Sequence, residues 1–189
     1  MDVSVFGLGY VGSVTAACLA DRGFRVIGVD VNAVKVDCIN SGKPPVLEAA
    51  LPEIVERAVL DGRLRATTSV AEAIARTDVT LICVGTPSKP NGDLDLQYVR
   101  RVAEQIGDAL AQKEQYHTVI LRSTVLPGTT WEVVRPVLER RSGKRAGEAF
   151  GLCFNPEFLR EGTAVADFYS PPFTVIGVGA SSGVETIRN

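Results

Sequence analysis

Three glycines near the N-terminus have a spacing that could hold a phosphate group. Gly7, Gly9 and Gly12 form a Gly-x-Gly-x-x-Gly pattern between an apolar run, residues 3–6, and small and apolar residues at helical spacing, residues 11–19. The first glycine permits a tight turn, the second lets the backbone approach a pyrophosphate, and the third lets a helix pack against a strand. The N-terminus of that helix would present unpaired N–H groups and the positive end of its dipole to the phosphates.

An acidic residue follows the second predicted strand at the spacing that this pattern requires. Asp30 comes directly after the apolar run 25–29, where a carboxylate can bind the adenosine ribose hydroxyls of a dinucleotide. Because a carboxylate there also repels a 2′-phosphate, we predict NAD rather than NADP. A glycine-rich turn alone is a weak signal, and Asp30 could instead only end a strand and cap the next helix.

The elements that must position these residues are strands alternating with helices. Strands are predicted at 3–6, 25–29, 64–67, 79–84, 117–122, 151–154 and 174–178. Helices are predicted at 11–19, 33–40, 51–61, 70–76, 94–112 and 130–141. This order predicts an α/β fold, a Rossmann-type doubly wound, mostly parallel sheet with helices on both faces. Ligands are then expected in the loops at the carboxyl ends of the strands.

Individual residues predict where some helices begin or are interrupted. Asn32 is a good N-cap for the second helix, and Ser69 followed by Glu72 has the spacing of a capping box. Pro136 lies inside the last long helical pattern and should kink that helix or shorten its first half.

Composition describes an ordinary globular domain. The chain has 189 residues, 46% of them hydrophobic, and a net charge of −2 with charges scattered along it, which argues against a nucleic-acid partner. No apolar run approaches the ~20 residues of a membrane span, and the first six residues lack the features of a signal peptide. We therefore expect no membrane partner and a cytoplasmic protein.

The cysteines and the single histidine are interpreted as structural. No Cys-x-x-Cys pair occurs, so no metal site is predicted, and each thiol is expected to be reduced and buried in an apolar run. The cysteines are Cys18, Cys38, Cys83 and Cys153. His117 precedes a buried strand and is expected to be structural.

Five short motifs occur in one order along the chain and together resemble a known family. They are 6–12, 28–30 with Lys35, 84–87, 123–125 with 127–129, and Asn-Pro-Glu-Phe-Leu-Arg-Glu at 155–161. They are similar to the N-terminal half of the nucleotide-sugar 6-dehydrogenases, the UDP-glucose/GDP-mannose dehydrogenase family, over essentially the whole chain. Within the family, residues 85–96 are more similar to the GDP-mannose branch. One departure is Glu48-Ala49-Ala50-Leu51, where the family usually has Glu-Pro-Gly-Leu.

The resemblance assigns cofactor contacts to residues of four motifs. It implies main-chain contacts from Tyr10 and Val11 to the pyrophosphate, and ribose contacts from Asp30 and Lys35. It also implies that two hydroxyls at strand ends face the cofactor, those of Thr86 and Thr124. Taken alone, Lys35 could be a solvated helix residue, and the two threonines could cap the helices that follow them.

The last motif is assigned to chemistry and substrate binding. The resemblance implies that Glu157 is a general acid/base that assists hydrolysis of a thioester through water. We group Thr124 with it as a catalytic residue. Residues of the same segment are assigned to the sugar nucleotide, GDP-mannose or UDP-glucose: Phe158, Leu159, Arg160 and Glu161.

The family reaction uses parts that these motifs do not contain. It oxidises a primary alcohol twice with two NAD, through a thioester on a cysteine in the C-terminal half of the family, and none of the four cysteines here has matching surroundings. We also expect residues 1–189 to lack the central helix, through which the family dimerises, and the nucleotide-sugar domain. We expect residues 1–189 to be one NAD-binding domain that binds NAD without full turnover, from an enzyme of alginate-type polysaccharide biosynthesis that is a homodimer when full-length.

Three alternatives remain open from the sequence. The chain could be the corresponding domain of a UDP-glucose enzyme, or a non-catalytic NAD-binding module with a regulatory role. It could also be a Rossmann dehydrogenase for a small hydroxy acid, which would need a catalytic histidine or lysine downstream.

Overall fold

The computed structural model describes residues 1–179, which form a seven-stranded sheet between two layers of helices. The strands are β1 (Asp2–Phe6), β2 (Arg25–Val29), β3 (Leu64–Thr67), β4 (Val79–Ile82), β5 (His117–Leu121), β6 (Phe150–Phe154) and β7 (Gly177–Val178). Their order is β3-β2-β1-β4-β5-β6-β7, with the first six parallel and β7 antiparallel to β6. The predicted fold class is confirmed. Residues 180–189 of the predicted single domain lie outside the described residues.

The helices divide the core into two layers, one on each face of the sheet. The helices are α1 (Tyr10–Asp21), α2 (Ala33–Asn40), α3 (Leu51–Leu60), α4 (Val70–Arg76), α5 (Gln97–Ala111), α6 (Arg135–Ser142) and α7 (Ala164–Tyr169), with a π-helical segment at Thr130–Val134. Apolar residues of α1, α2, α3 and α7 pack on one face of the sheet, and those of α4, α5 and α6 pack on the other. Because both faces are covered, the central strands are apolar at nearly every position.

The strand order reverses beside β1, and this creates the crevice in which the site lies. Phe6 is paired with Val29 of β2 on one side and with Ile82 of β4 on the other. The chain leaves β1 and β4 towards helices on opposite faces of the sheet, so the loops diverge at this point. In open parallel sheets such a switch point is where ligands bind.

One of the two predicted helix caps is formed as expected, and the other is formed only by half. The Asn32 side chain accepts a hydrogen bond from the Val34 amide at 3.0 Å, and α2 has the predicted bounds. Ser69 Oγ accepts from the Glu72 amide at 3.3 Å. The reciprocal half of the capping box is wrong, because the Glu72 carboxylate instead accepts from Thr67 Oγ1 at 3.0 Å and pairs with Arg65 at 2.8 Å.

Some predicted boundaries are wrong where side chains or turns compete with the regular element. The long helix begins at Gln97 rather than at residue 94, because a bridge pairs Ser88 with Leu94 and Asp95 Oδ1 accepts from the Gln97 amide. Before Pro136 the chain forms the π-helical segment, and the α-helical part starts only at Arg135, so the first half of the predicted α-helix is shortened as Pro136 predicts.

The cysteines and the histidine can be compared with their predicted burial. All four thiols are free, and Cys18, Cys83 and Cys153 are buried as predicted, whereas the prediction of burial is wrong for Cys38, which is half-buried. His117 is fully buried, with its Nδ1 2.9 Å from the Thr77 carbonyl oxygen and its Nε2 2.8 Å from Thr80 Oγ1. The structural interpretation of His117 is confirmed. Within residues 1–179, no helix combines the length and the apolarity needed to cross a membrane.

Candidate functional site

The glycine turn follows β1, and its three glycines differ in what surrounds them. Gly7 has φ +93°, which favours glycine, and its amide donates to the Val29 carbonyl at 2.7 Å. A Cβ on Gly12 would lie 1.7 Å from the Gly7 carbonyl oxygen, so Gly12 is required for packing. A Cβ on Gly9 would meet no atom within 4 Å. The open space in front of Gly9 is therefore where a ligand can approach the backbone.

Helix α1 presents its N-terminus to that space. The helix starts at Tyr10, Gly9 is its N-cap, and no side chain caps it. The first intrahelical bond runs from the Ser13 amide to the Gly9 carbonyl at 2.9 Å, so the amides of Tyr10, Val11 and Gly12 have no partner within the helix. Over the 12 residues of α1 the peptide dipoles add up, so this end of the helix attracts an anion.

Asp30 joins the end of β2 to the glycine turn. Its Oδ2 accepts from the Leu8 amide at 2.7 Å and its Oδ1 accepts from the Asn32 amide at 2.9 Å. Lys35 Nζ lies 3.5 Å from Oδ2 and the Lys35 side chain is 35% exposed, so this lysine of α2 is paired with the carboxylate. The helix-capping alternative for Asp30 is also wrong, because Asn32 caps α2. Each carboxylate oxygen keeps a lone pair for a ligand hydroxyl.

A cavity of about 340 Å³ connects these groups and extends to α5. Four of the predicted cofactor residues line it, Gly7, Gly9, Asp30 and Lys35, together with Gly85 beside Thr86. Several other lining residues were not predicted from the sequence: Val31, Thr68, Tyr98, Arg101 and Gln105. Three of these share one face of α5, at helical spacing of three and four residues, which is the signal that could have found them.

The residues present fit a dinucleotide. The opening at Gly9 leads to the unpaired amides of α1, and the carboxylate of Asp30 stands at the cavity wall with a side chain that is only 9% exposed. The amides at the start of α1 can bind an anion, which in a dinucleotide is the pyrophosphate. The Asp30 carboxylate can accept hydrogen bonds from hydroxyls, which in a dinucleotide are those of the ribose.

The two predicted threonines meet at the carboxyl edge of the sheet. Thr86 follows β4 and its Oγ1 donates to the Thr124 carbonyl, after β5, at 2.6 Å. The alternative that they cap helices is wrong, because α5 has Leu96 at its N-cap and the π-helical segment has Thr129. The Thr124 side chain is exposed at this edge.

The segment after β6 surrounds a second cavity, of about 190 Å³. The Glu157 carboxylate accepts from the Leu159 amide at 2.6 Å, and Phe158 packs edge-to-face on Phe173 with ring centroids 4.6 Å apart. Cys83 lines the first cavity, and burial raises the pKa of its thiol to about 12, with a lowering effect of the Arg122 charge and a raising effect of the Glu157 charge.

The guanidinium of Arg160 is bound within the protein. It pairs with the Asp167 carboxylate through two hydrogen bonds, of 2.6 and 3.1 Å, and this ion pair holds the pKa of Asp167 well below its usual range. Leu159 is half-buried against the core, while Glu161 is exposed. Of the four predicted substrate residues, Phe158, Arg160 and Glu161 are exposed, and the Arg160 side chain stays 77% exposed although it pairs with Asp167.

Glu48 is a further residue of this region, and in the sequence it stands out only because the motif that it begins, residues 48–51, departs from the family pattern. The Glu48 side chain is buried and accepts hydrogen bonds from the Tyr10 hydroxyl and from the amides of Gly162 and Ala164. Two residues later, Ala50 has φ +61°, in the position where the family usually has glycine. Among the residues that the structure describes, no group of three or more His, Cys, Asp or Glu side chains is placed to hold a metal ion.

Comparison with known proteins agrees with this geometry. The profile of the UDP-glucose/GDP-mannose dehydrogenase family, NAD binding domain, matches residues 1–189. GDP-mannose 6-dehydrogenase of Azotobacter vinelandii is 56% identical over 177 residues, which are 94% of this chain and 41% of that protein. UDP-glucose 6-dehydrogenase of Haloferax volcanii is 44% identical over 187 residues, 99% of this chain and 43% of that protein.

A solved structure extends the likeness to three dimensions. The crystal structure of a ternary complex of GDP-mannose dehydrogenase from Pseudomonas aeruginosa matches with a TM-score of 0.94 at 54% identity, and the match covers 95% of this chain and 41% of that chain. The chain thus spans about two fifths of the length of the relatives named here.

Proposed function

Since the chain belongs to the UDP-glucose/GDP-mannose dehydrogenase family as its NAD-binding domain, we propose that it binds NAD for oxidation of a nucleotide sugar, GDP-mannose, in its parent enzyme. Residues 1–189 then act as one domain. The observation that carries the proposal is the open approach to Gly9 beside the Asp30 carboxylate. A glycine with free space above it, next to glycines required for packing, favours close contact with a ligand.

The cofactor would be held by groups of the first two βα turns. The amides of Tyr10 and Val11 would bind the pyrophosphate, while Gly7, Gly9 and Gly12 shape the turn that aims them. Asp30 would accept hydrogen bonds from the adenosine ribose, and Lys35 would donate a further one while neutralising part of the carboxylate charge. Bound NAD would supply the hydride acceptor for oxidation of the alcohol.

The chemical residues would act from the loops after β5 and β6. Glu157 would serve as the general acid/base that takes a proton from water, through the carboxylate oxygen that is not occupied by the Leu159 amide. Thr124 would present its hydroxyl to the reacting groups. Thr86 holds the Thr124 carbonyl through the 2.6 Å hydrogen bond, and Thr86 would face the cofactor. Both loops lie at the carboxyl edge that also carries the glycine turn.

The segment Phe158, Leu159, Arg160 and Glu161 would form the domain's contribution to the sugar-nucleotide site. GDP-mannose is favoured over UDP-glucose because the GDP-mannose relatives are 54–56% identical and the UDP-glucose relative of Haloferax volcanii is 44% identical. The finer parts of the proposal depend on the motif resemblance: two oxidations with two NAD, dimerisation through a central helix, and a product used for alginate-type polysaccharide. A cytoplasmic location stays a prediction of the sequence.

Calorimetric titration of the 189-residue chain tests the proposal. We expect NAD to bind, and NADP to bind at least about tenfold more weakly because its 2′-phosphate meets Asp30. No NAD binding, or equal binding of NADP, would contradict it. GDP-mannose should bind weakly through residues 158–161; NAD binding without any sugar-nucleotide binding would favour the regulatory alternative. In an NADH assay with GDP-mannose we expect no full turnover.

The alternative of a dehydrogenase for a small hydroxy acid finds no support at this site. His117, the single histidine of the chain, begins β5, at the edge of the sheet opposite the glycine turn. Both of its ring nitrogens are hydrogen-bonded within the core, so it cannot reach a ligand at the carboxyl edge.

A further inference from the structure

A buried carboxylate connects the glycine turn to the predicted substrate segment. Glu48 lies in the loop between α2 and α3 and is only 8% exposed. Its Oε2 accepts hydrogen bonds from the Tyr10 hydroxyl and from the Gly162 amide, the latter at 2.8 Å, and its Oε1 accepts from the Ala164 amide at 3.1 Å. The three groups that meet at Glu48 belong to parts of the chain that are 38 and 114 or more residues away from it.

The charge at Glu48 is compensated by hydrogen-bond donors, namely the Tyr10 hydroxyl and the main-chain amides of Gly162, Ala164 and Val165. Burial raises its pKa, but the hydrogen bonds from Tyr10 and the main-chain amides outweigh burial and hold the pKa below its ordinary value. Burial and the Glu48 hydrogen bond together raise the pKa of Tyr10 to about 12, so the phenol remains the donor. A buried carboxylate with this set of donors fixes the position of each group, because losing any one leaves a buried acceptor underused.

Both ends of this connection lie next to proposed ligand contacts. Tyr10 is the first residue of α1, and its own amide is one of those that would bind the pyrophosphate. On the other side, Gly162 directly follows the segment Phe158–Glu161, and its amide lies 3.2 Å from the Tyr10 hydroxyl as well. The Tyr10 hydroxyl is also 3.4 Å from the Arg160 carbonyl oxygen. A shift of Tyr10 is therefore transmitted to the main chain on both sides of Glu161.

The segment that contains Gly162 and Ala164, residues 160–167, is held together by several internal hydrogen bonds. Arg160 and Asp167 form their bidentate pair across it, and Asp167 Oδ2 also accepts from the Arg160 amide at 3.0 Å and from Thr163 Oγ1 at 3.2 Å. Asp167 thus forms the hydrogen bonds within residues 160–167, and Glu48 connects these residues to the glycine turn by hydrogen bonds.

We propose that Glu48 is a positioning residue that couples cofactor binding at the glycine turn to the placement of the sugar-nucleotide segment. The inference rests on the proposed function. A pyrophosphate bound to the Tyr10 main chain would restrict the motion of the Tyr10 hydroxyl. Glu48, which accepts from that hydroxyl, would then hold the amides of Gly162 and Ala164 in one position. The segment before these amides would thereby be placed for the substrate. Coupling of this kind is reciprocal, so sugar nucleotide bound at that segment would tighten NAD binding by the same factor.

The test is a titration of the ¹⁵N-labelled 189-residue chain with NAD, followed by amide hydrogen exchange. Shifts of the Gly7 and Gly9 amides report binding itself, and those of Gly162 and Ala164 report the coupling. In the wild-type protein we expect NAD to shift both pairs and to slow exchange at Gly162 and Ala164 by about threefold or more.

Glu48→Gln tests the connection while keeping the size of the side chain. One of its two terminal atoms becomes a donor, so either the Gly162 or the Ala164 amide loses its acceptor, and exchange there should be about tenfold faster. NAD should still shift the Gly7 and Gly9 amides in this variant but no longer slow exchange at Gly162 and Ala164. Glu56→Gln is the matched control, because Glu56 is an exposed glutamate on the neighbouring α3, and it should respond as wild type.

Tyr10→Phe provides a second variant, since it removes only the hydroxyl that links the turn to Glu48. It should abolish the NAD response of Gly162 and Ala164 as Glu48→Gln does. Shifts at Gly7 and Gly9 with unchanged Gly162 and Ala164 in wild type would overturn the coupling and leave the proposed function standing. So would a Glu48→Gln or Tyr10→Phe protein that keeps the full response. No shift at Gly7 and Gly9 would overturn the proposed function, and this inference with it.

Discussion

Asp30 accepts a hydrogen bond from the backbone amide of Leu8 at 2.7 Å. The carboxylate that lines the cofactor cavity therefore also holds the glycine turn in place from a distance of 22 residues along the chain. One side chain serves both the shape of the turn and the proposed recognition of the ribose.

This double role predicts different results for two substitutions. Asp30→Ala leaves the Leu8 amide without its acceptor and should lower the free energy of unfolding by about 1–2 kcal/mol and NAD affinity by at least about tenfold. Asp30→Asn keeps one acceptor oxygen for two main-chain donors, the Leu8 and Asn32 amides, so it should recover only part of the stability and less of the affinity. Urea unfolding and calorimetry on both variants check this. Equal NAD affinity in wild type and Asp30→Ala would show that the carboxylate does not contact the cofactor.

The same substitution at Gly9 and at Gly12 should have different effects, because Gly9 faces open space and Gly12 is in tight packing contact. At Gly9 the backbone has φ −79° and a Cβ meets open space, so Gly9→Ala should unfold within about 0.5 kcal/mol of wild type while losing NAD affinity about tenfold or more. At Gly12 a Cβ would lie 1.7 Å from the Gly7 carbonyl oxygen, so Gly12→Ala should destabilise the fold by about 3 kcal/mol. Thermal unfolding and NAD titration compare them. A destabilised Gly9→Ala protein with wild-type affinity per folded molecule would reverse this assignment.

Ala50 should be a site where glycine stabilises the protein. Its φ of +61° is costly for a residue with a Cβ, and it begins α3. Ala50→Gly should raise the free energy of unfolding by about 1 kcal/mol, because relief of this strain exceeds the added entropy of the unfolded chain. The control is Ala49→Gly, at an exposed neighbouring residue without positive φ, which should be neutral or destabilising. Urea unfolding measures the effect. A loss of stability in Ala50→Gly would contradict the claim that the positive φ of Ala50 destabilises the protein.

His117 should make stability fall in mild acid. Burial, with a smaller effect of the Lys113 charge, lowers the pKa of His117 from 6.5 to about 4, although the Thr77 carbonyl raises it. The unfolded state then binds the proton first, so the stabilisation is complete above about pH 6.5 and is lost as the pH falls towards 4.

We expect the His117 contribution to the free energy of unfolding to fall by about 2 kcal/mol between pH 7 and pH 5. Urea unfolding at intervals across that range measures it. In His117→Gln, which keeps a polar side chain without the titration, the dependence should flatten over the same window. An unchanged slope in that variant would assign the pH dependence to other groups.

Much of this fold could be predicted because its sequence patterns are local. Alternating apolar runs and helical spacing indicated the doubly wound sheet, the glycine turn was placed between β1 and α1, and Asn32 marked the start of α2. Each of these depends on interactions within a few residues, which a single sequence records directly. Where the predictions were wrong, as at the start of α5 and in the capping box of Glu72, a side chain had a nearby competing partner.

The sequence by itself determined which chemical groups lie at the carboxyl edge of the sheet, because the strands and the residues that follow them can be predicted from local patterns. Only the tertiary structure decided which of those groups meet. The contact of Thr86 with Thr124 spans 38 residues, and that of Glu48 with Ala164 spans 116. Such pairs arise from how helices and loops pack after the sheet has formed, where hydrogen bonds are chosen by burial and geometry rather than by distance along the chain.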